Sequence, residues 1–235
     1  MNLYQYTEKG PRADNQDSYG FKNLNGFTVA CLADGVGGAN SGKFVSNLCV
    51  NKYLESISDF DDELIPIIES IHKSVLQYQL DLEEYRGMAT TFTGCLISEN
   101  KLKGVHLGDS RLCLLRGNGI KQLTINHTEA NRLFLAGKLT KDELINYPRK
   151  NIIESAIGIK GQLKIQSFEF DLQFNDRIII SSDGVHELIN KFEFRDLSIK
   201  YKVLKDFGDA LISLLHEKVM IDNSTFLIIE LSKEK

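Results

Sequence analysis

Proline is scarce in this chain, three residues in 235, and glycine at 18 is only ordinary. Both values exclude collagen-like and low-complexity compositions. An excess of basic charge is also missing: 28 Lys and Arg face 32 Asp and Glu, a net of −4. A phosphate-backbone binder would carry a basic surplus or stripe, so no nucleic acid partner is expected. No stretch approaches the ~20 apolar residues that cross a bilayer, so no membrane partner is expected. The first ten residues lack the basic-then-apolar plan of a secretory leader. The four cysteines, Cys31, Cys49, Cys95 and Cys113, include no C-x-x-C pair and no metal-ligand spacing. They are expected to be reduced, mostly buried thiols in a cytoplasmic protein.

What is present is a globular composition, 42% hydrophobic and 26% charged. A chain of this length fits one large domain, because domains usually run to ~100–200 residues. Residues 26–33 read as a buried strand ending at Asp34-Gly35, followed by a Gly-rich turn. A helix is expected from about Ser41 to Ile57, capped by Asn40 or Ser41. A second is expected from about Asp62 to Tyr85, with apolar residues at three- and four-residue steps and Pro66 in its first turns. Strands are expected at 91–98, 102–107, 111–116 and 120–123. Glu99-Asn100 and Gly117-Asn118-Gly119 mark tight turns, which imply antiparallel pairing. Residues 126–161 are polar, with short helical patches at 129–136 and 141–146, and read as an insert over the sheets. Strands resume at 163–172 and 176–181, a helix fits 203–219, and a last strand runs over 225–231. The sum is an α+β fold with helices covering antiparallel sheets.

The aspartates carry the chemical information. Asp34, Asp109, Asp183 and Asp222 each fall just after or just before an apolar strand, and Asp14 and Asp17 lie in Arg-Ala-Asp-Asn-Gln-Asp. Any one Asp-Gly or Asp-Asn pair is an ordinary turn former. If the strand ends converge, several anions meet, and like charges raise one another's pKa. Hard divalent cations, Mg²⁺ or Mn²⁺, suit an all-oxygen site of this kind.

In this order the motifs resemble those of the metal-dependent serine/threonine protein phosphatases of type 2C. The resemblance runs from about Gly10 to Glu230. It rests on Arg12–Asp17, Ala33–Gly38 (Ala-Asp-Gly-Val-Gly-Gly), Gly87–Thr91 (Gly-Met-Ala-Thr-Thr), His106–Arg111 (His-Leu-Gly-Asp-Ser-Arg), Asp176–Gly184 and Asp222–Thr225 (Asp-Asn-Ser-Thr). Six ordered motifs are specific where one is not.

The resemblance implies two packed antiparallel β-sheets flanked by helix pairs, an α-β-β-α sandwich, as a single catalytic domain over 1–235 with a flap-like insert at about 126–161. It implies two Mn²⁺ or Mg²⁺ ions, with a third, weaker one. Asp34 would bridge two ions, the Gly35 carbonyl would bind one, Asp183 and Asp222 the other, and Asp109 would help hold the third. Asp17 would support the metal shell through water, and Arg12 would clamp phosphate with its planar fork. Two ions lower the pKa of a shared water and neutralise phosphoryl oxygens, so direct attack by water is expected. The expected substrates are phosphoserine and phosphothreonine proteins of a companion kinase, with the enzyme a monomer.

Several positions depart from the pattern: Gln16 for Glu, Ala89 for Gly, Asn126 for Asp, Glu154 for Thr and Ser155 for Arg. Val36 offers no proton donor, which leaves the general acid unassigned. Arg111 reads as an orienting partner of Asp109 or a nearby loop, and His106 as a sheet residue. The departures motivate an alternative, a catalytically weak phosphatase-like binding or regulatory protein.

Overall fold

The computed structural model describes residues 1–36 and 41–232. Asn40, one of the two cap candidates, and the Gly37-Gly38 pair lie outside the described residues. Eleven strands and seven α-helices are found among the described ones. A five-stranded sheet has the order β1 (Asn2–Glu8), β11 (Ser224–Glu230), β10 (Arg177–Ser181), β7 (Arg111–Arg116), β8 (Gly119–Gln122). A six-stranded sheet runs β2 (Asp17–Leu24), β3 (Phe27–Val36), β5 (Phe92–Ile97), β6 (Lys101–Leu107), β9 (Gln166–Asp171), with the short β4 (Ala89–Thr90) pairing β3. Every pairing is antiparallel.

The period-two alternation of the strands builds three layers of core. Along β3, Ala30 and Leu32 face the other sheet and meet Leu227 and Ile229 of β11 in one cluster. Val29, Cys31 and Ala33 face outward and pack with Val45, Cys49 and Tyr53 of α1 (Ser41–Ser56) and Ile68, Ile71 and Val75 of α2 (Leu64–Asp81). On the opposite side Phe226 and Ile228 of β11 pack with Phe194 of α6 (Lys191–Lys200) and Phe207, Leu211 and Leu215 of α7 (Leu204–Glu217). This is the helix–sheet–sheet–helix sandwich. All four cysteines are buried and free.

The second helix is shorter than its periodicity predicts. Leu82 leaves the helical region at φ −131°, and a separate 3-10 turn covers Glu83–Tyr85. The insert carries α3 (Glu129–Leu135), capped by Thr128, and α4 (Lys141–Asn146), which opens on a Thr140–Glu143 capping box. Backbone bridges tie it down: Thr90 pairs Ile157, Thr128 pairs Ile153, and the His127 N–H donates to the Gly108 carbonyl at 2.6 Å.

Candidate active site

The strand order brings the acidic residues to one end of the sandwich. Asp17 opens β2 and sits directly opposite Asp34, near the end of β3. Asp109 lies in the loop by which the chain leaves β6 for β7 of the other sheet. Asp183 opens α5 (Asp183–His186) immediately after β10, and Asp222 precedes β11. One sheet therefore contributes Asp17 and Asp34, the other Asp183 and Asp222, and Asp109 joins them at the crossover.

The electrostatics show how close the group is. Burial, then the charges of Asp17, Asp183, Asp109 and Asp222, push the Asp34 carboxyl well above its ordinary value. Asp34 retains some exposure yet is densely surrounded. Burial pushes Asp17 up to about 7 and Asp109 to about 7, with Asp183 adding to both. Burial first, then Asp222 and Glu187, raise Asp183, whose side chain lies within hydrogen-bond reach of Asp34. Burial and neighbouring negative charge both disfavour the ionised form of these groups, and a bound cation would offset the same cost.

Local structure fixes these groups by means that the motifs contain. The Asp34 N–H donates to Thr91 Oγ1 at 3.0 Å, and its carbonyl accepts from the Thr91 N–H and Thr90 Oγ1, both at 2.9 Å. The Gly87–Thr91 segment thus clamps the backbone of Asp34 from β4 and the residue after it. Gly35 lies so close to α1 that a Cβ there would meet the Gly42 carbonyl oxygen at 2.1 Å. A Cβ on Gly184 would meet the Asn223 carbonyl oxygen at 1.9 Å. Both glycines allow the close backbone approach that seats Asp34 and Asp183.

Ser182 donates to Asp17 Oδ2 at 2.8 Å, while the buried Oδ1 has no hydrogen-bond partner. A buried carboxylate oxygen without a partner is costly, and its natural complement is a cation or its hydration water. The all-oxygen donor set has the same preference for hard divalent ions. No three carboxylates already close a metal cage among the described residues. Asp222 is instead gripped by Arg12, whose Nε and Nη2 donate to its two oxygens at 2.9 and 2.7 Å. Arg12 is thus placed at the acidic end with its fork engaged, more than half exposed at 57%.

The remaining candidates are placed plainly. His106 is buried in the sheet, with Nδ1 on Thr93 and Nε2 on the Gly108 carbonyl. Arg111 is largely buried beside Asp109, Glu187 and Asp183, and its Nε has no partner. Asp176 sits at the other end of β10, held by the Arg116 fork at 2.8 and 2.6 Å. Ser155 bonds to the backbone of Lys164, and Glu154 takes both its bonds from Arg132. A cavity of about 510 Å³, lined by Phe27, Thr28, Phe174 and Leu231, lies at the β2–β3 turn and holds none of the candidate residues. Sequence reasoning passed over Ser182, Asn223 and Glu187. Ser182 and Asn223 adjoin the aspartates of their own motifs, a signal that could have drawn attention to them.

The family model for protein phosphatase 2C matches residues 11–221. The chain belongs to the protein phosphatase 2C family. Membership makes it a protein phosphatase, a hydrolase. The chain is 30% identical to the protein phosphatase PhpP of Streptococcus pneumoniae over 244 residues, covering 100% of this chain and 99% of that protein. It is 27% identical to the serine/threonine phosphatase stp of Listeria welshimeri, over 95% of this chain and 93% of the relative. Its fold matches the crystal structure of the serine/threonine phosphatase Stp1 from Staphylococcus aureus with a TM-score of 0.90 at 27% identity, covering 100% of this phosphatase and 96% of the other.

Proposed function

We propose that this phosphatase hydrolyses phosphoserine and phosphothreonine in proteins, with Mn²⁺ or Mg²⁺ held at the acidic end of the sandwich. The observation that carries this reading is the convergence of Asp17 and Asp34 of one sheet with Asp183 and Asp222 of the other, where the Asp17 Oδ1 is buried without a hydrogen-bond partner. Asp34, the Gly35 carbonyl, Asp183 and Asp222 would hold two ions, and Asp109 a third. Bound ions supply a water of lowered pKa and neutralise phosphoryl oxygens.

The chain's own residues do the rest. Arg12, on an exposed loop beside the carboxylates, has its planar fork on the Asp222 oxygens here and would take two phosphoryl oxygens once an ion claims that carboxylate. Asp17, buried under Ser182, holds a carboxylate oxygen ready for a water of the metal shell. The Asp34 backbone, clamped by Thr90 and Thr91, keeps its side chain facing the other sheet's aspartates. The single domain over 1–235 acts as a cytoplasmic monomer on phosphoproteins of a companion kinase, with the 126–161 flap beside the site. No described helix is long and apolar enough to cross a membrane.

The test is hydrolysis of an aryl phosphate with Mn²⁺, with Mg²⁺ and with chelator, alongside Asp183→Ala. Turnover is expected with an ion and absent with chelator. The variant, folded by circular dichroism, should lose at least about 100-fold, since even outer-shell losses cost 10–100-fold. Full activity in the variant overturns the metal assignment. A second reading, a catalytically weak phosphatase-like binding protein, draws on the engagement of Asp222 by Arg12. Absence of turnover with any ion, in a folded protein, would decide for it.

A further inference from the structure

Asn223 is buried at the start of β11, and its side chain reaches not into its own sheet but across to the loop that carries Arg12. Its Nδ2 donates to the carbonyls of Lys9 at 2.8 Å and Asp14 at 2.9 Å. Its Oδ1 accepts from the Gln16 N–H at 2.9 Å. One amide thus satisfies three backbone groups on both flanks of Arg12. The loop crosses from β1 to β2, and without these bonds its polar backbone would have no such anchor. The Lys9 carbonyl also closes the turn onto the Arg12 N–H at 3.4 Å. Gly10, at φ +58°, lies where a Cβ would meet the Asp222 carbonyl oxygen at 2.6 Å, so the loop is drawn hard against the same strand entrance.

The same residue holds the other partner. The Asn223 backbone N–H donates to Asp222 Oδ1 at 2.9 Å. It therefore orients the carboxylate that the Arg12 fork grips while fixing the loop from which Arg12 extends. The carboxylate and the guanidinium that grips it are thus registered against each other through one residue, the carboxylate by its backbone N–H and the Arg12 loop by its side chain.

We propose that Asn223 is a positioning residue for phosphate binding, acting through Arg12. This rests on the reading of Arg12 as the phosphate clamp. An arginine of more than half exposure has many rotamers, and binding a dianion with it costs less when its backbone is fixed. Substitution should therefore weaken phosphate and phosphopeptide binding more than it slows turnover at saturation.

The experiment is a double-mutant cycle on the full chain with Arg12→Ala, Asn223→Ala and both together. It reads the inhibition constant of inorganic phosphate, the KM and kcat for a phosphopeptide, and Mn²⁺ binding by calorimetry. Arg12→Ala should raise the phosphate inhibition constant about 10-fold or more, as the loss of a charged hydrogen-bond donor pair requires. Asn223→Ala should raise it by a comparable factor, raise KM more than it lowers kcat, and add little in the Arg12→Ala background. Unchanged phosphate inhibition in Asn223→Ala, or losses that multiply in the double variant, would overturn the proposal. Unchanged inhibition in Arg12→Ala would instead refute the clamp reading on which it rests. Asn223→Asp, which keeps the acceptor for Gln16 and removes the two donors, replaces the alanine variant if that one does not fold. If neither folds, the residue is structural and the proposal fails.

Discussion

Asp17 carries a conflict that a single carboxylate cannot resolve. One oxygen has Ser182, the other has nothing, and burial pushes the group up to about 7 from an ordinary 3.8. Asp109 stands at about 7 as well, and Asp34 and Asp183 are raised. A carboxyl whose folded pKa exceeds its unfolded value binds more protons in the native state between the two values. Stability then falls as pH rises through that window and stays low above it. In the presence of chelator, the denaturation midpoint should fall between about pH 4 and 7, on the order of 1.4 kcal/mol per pH unit for each participating group. Asp17→Asn should flatten that slope by about one group's share and stabilise the chelated protein at pH 8. A flat profile in the wild-type chain would show that these carboxylates are not crowded in solution. Asp34, Asp109 and Asp183 were legible as candidates because each follows an apolar strand, and Asp17 only through its motif. Their consequence was not, since a raised pKa depends on burial and on distances between residues that lie in different elements of the two sheets.

At the scale of elements, the site depends on two places where backbones touch. Helix α5 rests on the entrance of β11 through Gly184, and the end of β3 rests on α1 through Gly35 and Gly42. In Gly184→Ala the methyl would meet a backbone oxygen, which cannot swing aside as a side chain can. The helix must move, and with it Asp183 relative to Asp222. Overpacking of this kind costs about 1–3 kcal/mol. The expected outcome is a lowered unfolding midpoint together with weakened Mn²⁺ binding by calorimetry. A lowered midpoint with unaltered Mn²⁺ affinity would mean that α5 does not position Asp183. The strands β3, β5, β7, β10 and β11 were legible because they are apolar on both faces, packed between helices and the other sheet, and β6 because it follows the turn at Glu99-Asn100. Strands β1 and β2 and helices α5 and α6 were not. β1, Asn-Leu-Tyr-Gln-Tyr-Thr-Glu, is an edge strand whose tyrosines pack on Phe226 and α7 while polar residues alternate with them. β2 has only a short buried start. α5 is a single turn, and α6 buries only Phe194, so neither shows a helical stripe. β2 carries Asp17 and α5 carries Asp183, so the elements hardest to read from periodicity are those that the acidic site uses. The motifs located these residues where periodicity could not.

On the scale of the whole molecule, the two sheets are welded along their length by Leu32, Leu102, Ile178, Ile180, Leu227 and Ile229. At the acidic end the apolar contact stops, and Asp17 and Asp34 of one sheet face Asp183 and Asp222 of the other. Like charges across an interface push it apart, and Arg12 is placed to neutralise only Asp222 by direct contact. A divalent cation bound between the sheets would convert this repulsion into a cross-link. The ion should therefore stabilise the entire sandwich as well as its loops, because the native state alone brings the five carboxylates together. Linkage gives about 2.7 kcal/mol at 100 times the dissociation constant. For a chain of this size each kcal/mol shifts the midpoint by about 2–4 °C. Thermal unfolding at pH 7.5 should thus rise by about 5–11 °C in saturating Mn²⁺ and return on chelation. Asp183→Ala should abolish most of the rise, whereas Arg12→Ala should preserve it, since Arg12 opposes an ion for the oxygens of Asp222. A wild-type chain whose midpoint ignores Mn²⁺ would return its aspartates to the role of turn formers. A rise that survives Asp183→Ala would place the ion elsewhere on the molecule.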